Sequence, residues 1–157
     1  MLNSSPLLRP NTATVQRRHG TGGVDFAGEP QYTVLSLATF PCLIDPLPVS
    51  GRSAAALEYT VEGVIYIQTH IVLVFGLTPA DVAAFAPGDT ITKAGVPYIV
   101  APNKLGAFID AQAGDRMVDE RGLRYLCLGQ AQYYNIVPHC ELRLAIGRAW
   151  LAAGESP

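Results

Sequence analysis

Pro87-Gly88-Asp89-Thr90-Ile91-Thr92-Lys93-Ala94-Gly95-Val96-Pro97-Tyr98-Ile99-Val100 is the stretch that decides the fold. Gly88-Asp89 reads as a turn, the residues from Thr90 as a short β run, Ala94-Gly95 as a reversal and Tyr98-Ile99-Val100 as the returning run. A complete small hairpin is therefore predicted. Just before it, Thr78-Pro79-Ala80-Asp81 is a helix-start signal. Thr78 is placed as N-cap, Pro79 at the first helical position and Asp81 three residues after the cap. Val82 and Phe85 give this helix an apolar stripe of one or two turns, and Pro87-Gly88 ends it.

Working outward toward the N-terminus, a period of two begins at Tyr59. Val61, Ile65, Ile67, Ile71, Leu73 and Phe75 are apolar, while Thr60, Glu62, Gln68 and His70 lie between them. This predicts one long strand with a bulge or bend at Gly63. Val72 and Val74 break the alternation, so its far end is expected to be covered on both faces. Residues 32–44 alternate well enough for another strand, bent where Pro41 removes a backbone donor. The run 11–18 reads as an edge strand or extended arm. Two long loops separate these runs. Residues 19–29, with four glycines among Thr21, Asp25 and Glu29, cannot bury much surface and are expected to be mobile. Residues 46–57, a Pro-Leu-Pro-Val-Ser-Gly-Arg-Ser segment followed by alanines, form the second.

Toward the C-terminus, residues 101–121 are charged and Gly-bearing. Arg116 and Arg121 are interleaved with Asp110, Asp115, Asp119 and Glu120, so a solvated loop with balanced charge is expected. The runs 123–128, 131–137 and 140–150 are apolar or β-rich, split by Gly129 and Pro138; periodicity leaves the last open between strand and helix. Residues 1–10 and 151–157 are expected to be flexible ends. The fold class predicted is mainly β: a small antiparallel β-barrel with long loops and one short helix, a single domain over 1–157.

Composition agrees. The 157 residues are 49% hydrophobic and 15% charged, which suits a single core. The 15 glycines and 12 prolines fall between apolar runs, as tight turns between strands require. A net charge of -2 offers no global basic field for nucleic acid. The first 18 residues lack a basic-then-apolar signal pattern, so synthesis in the cytoplasm is expected. The apolar region 64–77 is interrupted by Gln68, Thr69 and His70, too short and polar for a bilayer-spanning helix. Cys42, Cys127 and Cys140 are odd in number and lie in apolar surroundings, which favours buried free thiols over disulfides.

Catalytic and cofactor motifs find little footing. The glycine-rich loop lacks Gly-Lys-Ser/Thr and no helix follows it, so a nucleotide site is not expected. His139 and Cys140, with His70, Cys42 or Cys127, lack zinc-ligand spacing, and neighbours on a strand face opposite ways. The acidic residues of 110–120 match no calcium loop. No nucleophile-elbow pattern surrounds a serine. No catalytic residue, metal or cofactor is assigned, and an enzyme is not predicted. Tyr125, Tyr133, Tyr134 and Trp150 fit core filling, with subunit-interface anchoring as the other reading.

Several features in order resemble the head-closure, or stopper, proteins of tailed bacteriophages. They are the extended start 11–18, Gly28-Glu29-Pro30 leading into a strand that ends Phe40-Pro41-Cys42-Leu43-Ile44-Asp45-Pro46, the strand through Ile71 to Phe75, and Gly88-Asp89-Thr90-Ile91 followed by Gly95 and Tyr98-Ile99-Val100. The resemblance spans about the first two thirds of the chain as a pattern of turns and apolar positions. It implies a ring, six subunits in the assembled neck of the virion, between portal and adaptor above and the tail below. It also implies a loop that closes the central channel against loss of packaged double-stranded DNA. Carried to this chain, that loop is 46–57, with Val49, Ser50, Gly51, Arg52 and Ser53 as its channel-facing tip. Glycine gives the backbone freedom and Arg52 a charge-assisted phosphate contact. Arg52 is the loop's one cation, so ring assembly is better supported than DNA contact. The expected partners are copies of the chain, portal and adaptor proteins, a tail-terminator or tail protein and DNA, with no membrane. Open strand edges would find partners in such a ring, and the isolated chain is expected to stay monomeric until an adaptor supplies a template. The alternatives are a tail-terminator ring or minor tail protein and, from another class, a small-barrel enzyme or ligand-binding protein.

Overall fold

A computed structural model describes residues 10–47, 57–74, 77–102, 107–134 and 139–156. The chain is mainly β, with a large antiparallel sheet and one short helix. The sheet is built from β1 (Asn11–Val24), β2 (Pro30–Pro46), β5 (His70–Val74), β9 (Arg116–Asp119), β10 (Arg124–Cys127), β11 (Gln132–Tyr134) and β12 (His139–Ile146). Its order is β10-β9-β1-β2-β5-β12-β11, and β12 also pairs with β10. Pairing thus travels round six strands and returns to its start, curling the sheet into a barrel-like body. The returning seam is short, with three residue pairs from Tyr125↔Ile146 to Cys127↔Leu144.

Side chains alternate into the hollow of this body as a period of two demands. Val15, Phe40, Cys42, Val72, Val74, Met117, Tyr125, Cys127, Leu142 and Leu144 are all buried there. One residue, Leu37, is extra on β2 where Val15↔Ala38 is followed by Gln16↔Ser36, a bulge that bends the strand. The hairpin of β6 (Thr90–Lys93) and β7 (Val96–Val100) forms as the sequence predicts, with Ala94 and Gly95 at φ 52 and 81 in its turn. A short β8 (Ala107–Phe108) extends it. Helix α1 (Pro79–Val82) starts in the predicted way: the Thr78 side chain accepts from the Asp81 amide and the Asp81 carboxylate accepts from the Thr78 amide. Together these elements place Leu77, Val82, Ile91, Val96, Tyr98 and Val100 against the core.

The long strand predicted from Tyr59 is instead three: β3 (Glu58–Val61), β4 (Val64–Ile67) and β5. Glu62 and Gly63 both adopt positive φ, 51 and 80, and make a two-residue hairpin turn where a bend was expected. A two-residue turn reverses the parity of the alternation. Tyr59 and Val61 therefore share a face with Val64 and Tyr66, and Ile65 and Ile67 face outward with Glu58 and Thr60. The buried side of β3–β4 lies over the outside of the β10–β12 seam. Val61, Leu126, Leu128 and Ala145 form a second apolar cluster there, flanked by Tyr59 and Tyr66. In β5 it is Val72 and Val74 that are buried, and Ile71 and Leu73 are half-buried outside.

Other expectations change as well. The run 11–18 is no edge: residues 13–16 of β1 pair with β9 on one side and β2 on the other. Most of the expected loop 19–29 is strand, because β1 continues to Val24 and leaves only the turn to Pro30. The charged stretch 110–121 is no solvated loop; it contains β9, with Asp115, Arg116 and Asp119 buried. The open run 140–150 is strand through Ile146 and then turns.

Residues 151–156, expected to be a loose end, are tied to the body. Arg116 donates to the Trp150 carbonyl and to Glu155, and its guanidinium lies 4.3 Å from the centre of the Trp150 ring. Trp150 Nε1 donates to the Gly114 carbonyl, and the Ala153 amide to that of Tyr32. Only 4% of the Arg116 side chain is exposed, so removing its carboxylate partner leaves a buried charge poorly compensated. Glu155→Gln is expected to lower stability by about 2 kcal/mol and Trp150→Ala by about 3 kcal/mol, read as shifts in urea midpoint at constant m-value.

Candidate functional site

Among the described residues, one hairpin and one end of the body carry the exposed large apolar side chains, Tyr134 on β11 excepted. The hairpin is the outer half of β1–β2. Past Gln16↔Arg116, β1 loses its β9 neighbour and continues with β2 alone. Its base is braced: Arg18 pairs with Glu62 and lies over the Tyr32 ring, and Tyr32 leans on Trp150. Val34 and Leu35, opposite Arg18 and Arg17, are exposed at this base, and beyond it Val24 and Phe26 are exposed, Phe26 completely. The tip is ordered by Asp25, whose carboxylate accepts from the Ala27 and Glu29 amides at 2.8 and 2.9 Å.

The second surface lies at the opposite end of β9, where the turn before β10 begins. Leu123, Ile146, Ala149 and Leu151 line an open groove of about 370 Å³. Ile146 also borders a neighbouring hollow of about 350 Å³ with Ile65, Ile67 and Arg148. The two hollows therefore adjoin. Neither had a sequence signal, since Ile65 and Ile67 read as core until the Glu62-Gly63 turn is known.

Buried charge holds the body beneath these surfaces. Asp115 receives both Nε and Nη2 of Arg17, at 2.9 and 2.8 Å, and the Gln112 amide as well. Hydrogen bonding to Asp115 raises the Arg17 guanidinium above its ordinary value. Asp119 accepts from the Leu123 amide, Arg121 and the Tyr125 hydroxyl. Burial works against the Asp119 anion, but these donors outweigh it and hold the carboxyl below its ordinary value.

The predicted tip residues Val49, Ser50, Gly51, Arg52 and Ser53 lie outside the described residues. Both flanks of their segment are held at one place, however: Leu47 donates to the Thr69 carbonyl and the Gln68 amide to that of Leu57. Tyr125 is core, as its first reading has it, and Trp150 locks the C-terminal segment. Tyr133 and Tyr134 border an open cleft of about 450 Å³ with Tyr59, Phe108 and Arg143. Cys42, Cys127 and Cys140 are free and buried, with burial pushing Cys42 and Cys140 up to about 12 and Cys127 also upward. His70 meets Tyr125 edge-on and bonds Thr69, and burial lowers its basicity. No protein-family model and no curated protein matches the chain.

Because its folded value is depressed, Asp119 contributes stability that is present above its unfolded value of about 3.9 and lost as pH falls through the folded one. Asp119→Asn is expected to cost about 2 kcal/mol at neutral pH and to flatten the fall in urea midpoint below about pH 4. The three thiols should resist an aromatic disulfide reagent in the folded protein and react together on unfolding.

Proposed function

We propose that this chain is a structural protein of a tailed bacteriophage neck, joining the DNA-filled head, through portal and adaptor, to the tail as a ring and helping to retain the packaged DNA. The observation that carries this reading is the distribution of exposed apolar residues. They lie on a projecting hairpin and around one end of a small curled sheet, the arrangement of a part made to be flanked by others. The order of turns and strands that resembles the stopper proteins supports it further, through the β2 run into Pro46, β5 and the β6–β7 hairpin.

Retention of DNA rests on the segment carrying Arg52. A loop whose two flanks are bonded to adjacent residues, Gln68 and Thr69, can be long without loosening the sheet. One arginine per subunit becomes a circle of cations in a ring, and phosphate contacts of that kind weaken with salt.

Adding the purified protein to portal–adaptor complexes and imaging them by electron microscopy should show an extra ring beyond the adaptor. Folded protein that adds no ring would refute the reading, and attachment to tail tubes instead would assign it to a tail terminator or minor tail protein. Arg52→Ala should still form the ring but let DNA escape sooner from filled heads.

A further inference from the structure

We propose that the tip of the β1–β2 hairpin of one copy seats on the apolar end groove of the next copy, with Phe26 as the anchor. This rests on the ring reading and names the contact that would build it.

Phe26 stands fully exposed, with Val24 64% exposed beside it. It is held out by a formed turn, not a slack loop. Besides the Asp25 side-chain bonds, the Asp25 amide donates to the Glu29 carbonyl at 2.9 Å and the Gly28 amide to that of Asp25 at 3.1 Å. An aromatic side chain presented on an ordered tip loses little freedom on docking, which is how interface anchors gain affinity.

The receiving surface fits this tip in shape and charge. Leu123, Ile146, Ala149 and Leu151 supply an apolar hollow of about 370 Å³, ample for one aromatic ring. Ile65 and Ile67, 64% and 53% exposed, continue it across Ile146 toward the second hollow. Arg148 lines that second hollow, is exposed, and makes no ion pair among the described residues. The tip carries the opposite sign: Asp25 and Glu29 flank Phe26, and the Glu29 carboxylate likewise has no ion pair among the described residues. An acidic-aromatic tip and an apolar groove edged by arginine are complementary partners.

Geometry selects a second copy as occupant. The hairpin leaves the body past Arg116, at one end of β9, and the groove begins at Gly122 and Leu123, past its other end. A surface at one end that complements a surface at the other makes a head-to-tail contact, which repeats and closes into a ring when the rotation permits. A contact of this size is weak for one pair and gains strength on closure.

Cysteine cross-linking tests it. Ala27→Cys and Ala149→Cys are made in separate full-length chains; the native thiols are buried and do not compete. Mixed at millimolar concentration under mild oxidation, the two variants should yield a mixed disulfide dimer. Adding Phe26→Ser, which leaves the fold unchanged by circular dichroism, should cut the yield about tenfold. Glu29→Arg or Arg148→Glu alone should reduce it roughly fivefold, and the two together, on opposite partners, should restore it. Absence of the mixed dimer, or a yield indifferent to Phe26, overturns the contact. Cross-linking without a ring on portal–adaptor complexes would refute the neck function and leave the contact standing, and a ring whose subunits do not cross-link would do the reverse.

Discussion

The structure depends on pairing every charge that β9 carries into the sheet. This strand joins β1 to β10. It also brings Arg116 and Asp119 to positions 3% and 5% exposed, with Asp115 just before it at 4%. Buried ions are tolerated only when hydrogen-bonded opposite charges or donors surround them. Each of the three has them: distant parts of the chain supply Arg17 for Asp115 and Glu155 and Gln16 for Arg116, and the adjoining turn and strand supply Arg121 and Tyr125 for Asp119. A β9 lined by apolar residues would pair with less penalty for error. One lined by these charges accepts a single register, because a slip of one residue turns every side chain to the other face.

The same requirement organises the surroundings. Arg116 needs Glu155 and the Trp150 ring, so the C-terminal segment is drawn across the body to Tyr32. That segment in turn braces the base of the projecting hairpin, where Tyr32 meets Trp150 and Arg18 meets Glu62. The short β10–β12 seam is covered from outside by β3–β4 through Val61, Tyr59 and Tyr66. Seam, tail and hairpin base thus share neighbours, and rigidity in the body reaches the surfaces that project from it. Projecting apolar residues without such bracing would collapse onto the nearest core; here backbone pairing holds them out.

The placement of exposed apolar surface bears on function more than any single residue. Small β bodies that act alone bring polar groups together in a hollow or keep their apolar residues scattered. Here the exposed large apolar residues, Tyr134 excepted, gather on one hairpin and around one end. Such a distribution suits a part completed by neighbours, which the proposed position between head and tail would supply.

Local chemistry was legible in the residues themselves. Thr78-Pro79-Ala80-Asp81 dictated a capped helix start, Ala94-Gly95 a two-residue reversal, and the mainly β character followed from short apolar runs between glycines and prolines. Three apolar cysteines announced buried thiols. Tertiary structure alone decided the rest. The alternation from Tyr59 to Phe75 fits both one strand and a hairpin, since an apolar residue on each side of Glu62-Gly63 satisfies either; only packing over the β10–β12 seam chose the hairpin and turned Ile65 and Ile67 to the surface. Buried charges of 110–121 read as solvated because a partner can stand as far as 98 positions away, as Arg17 does from Asp115. Period and turn chemistry act between neighbours in the chain and can be read there, whereas burial of a charge depends on partners that only folding brings near.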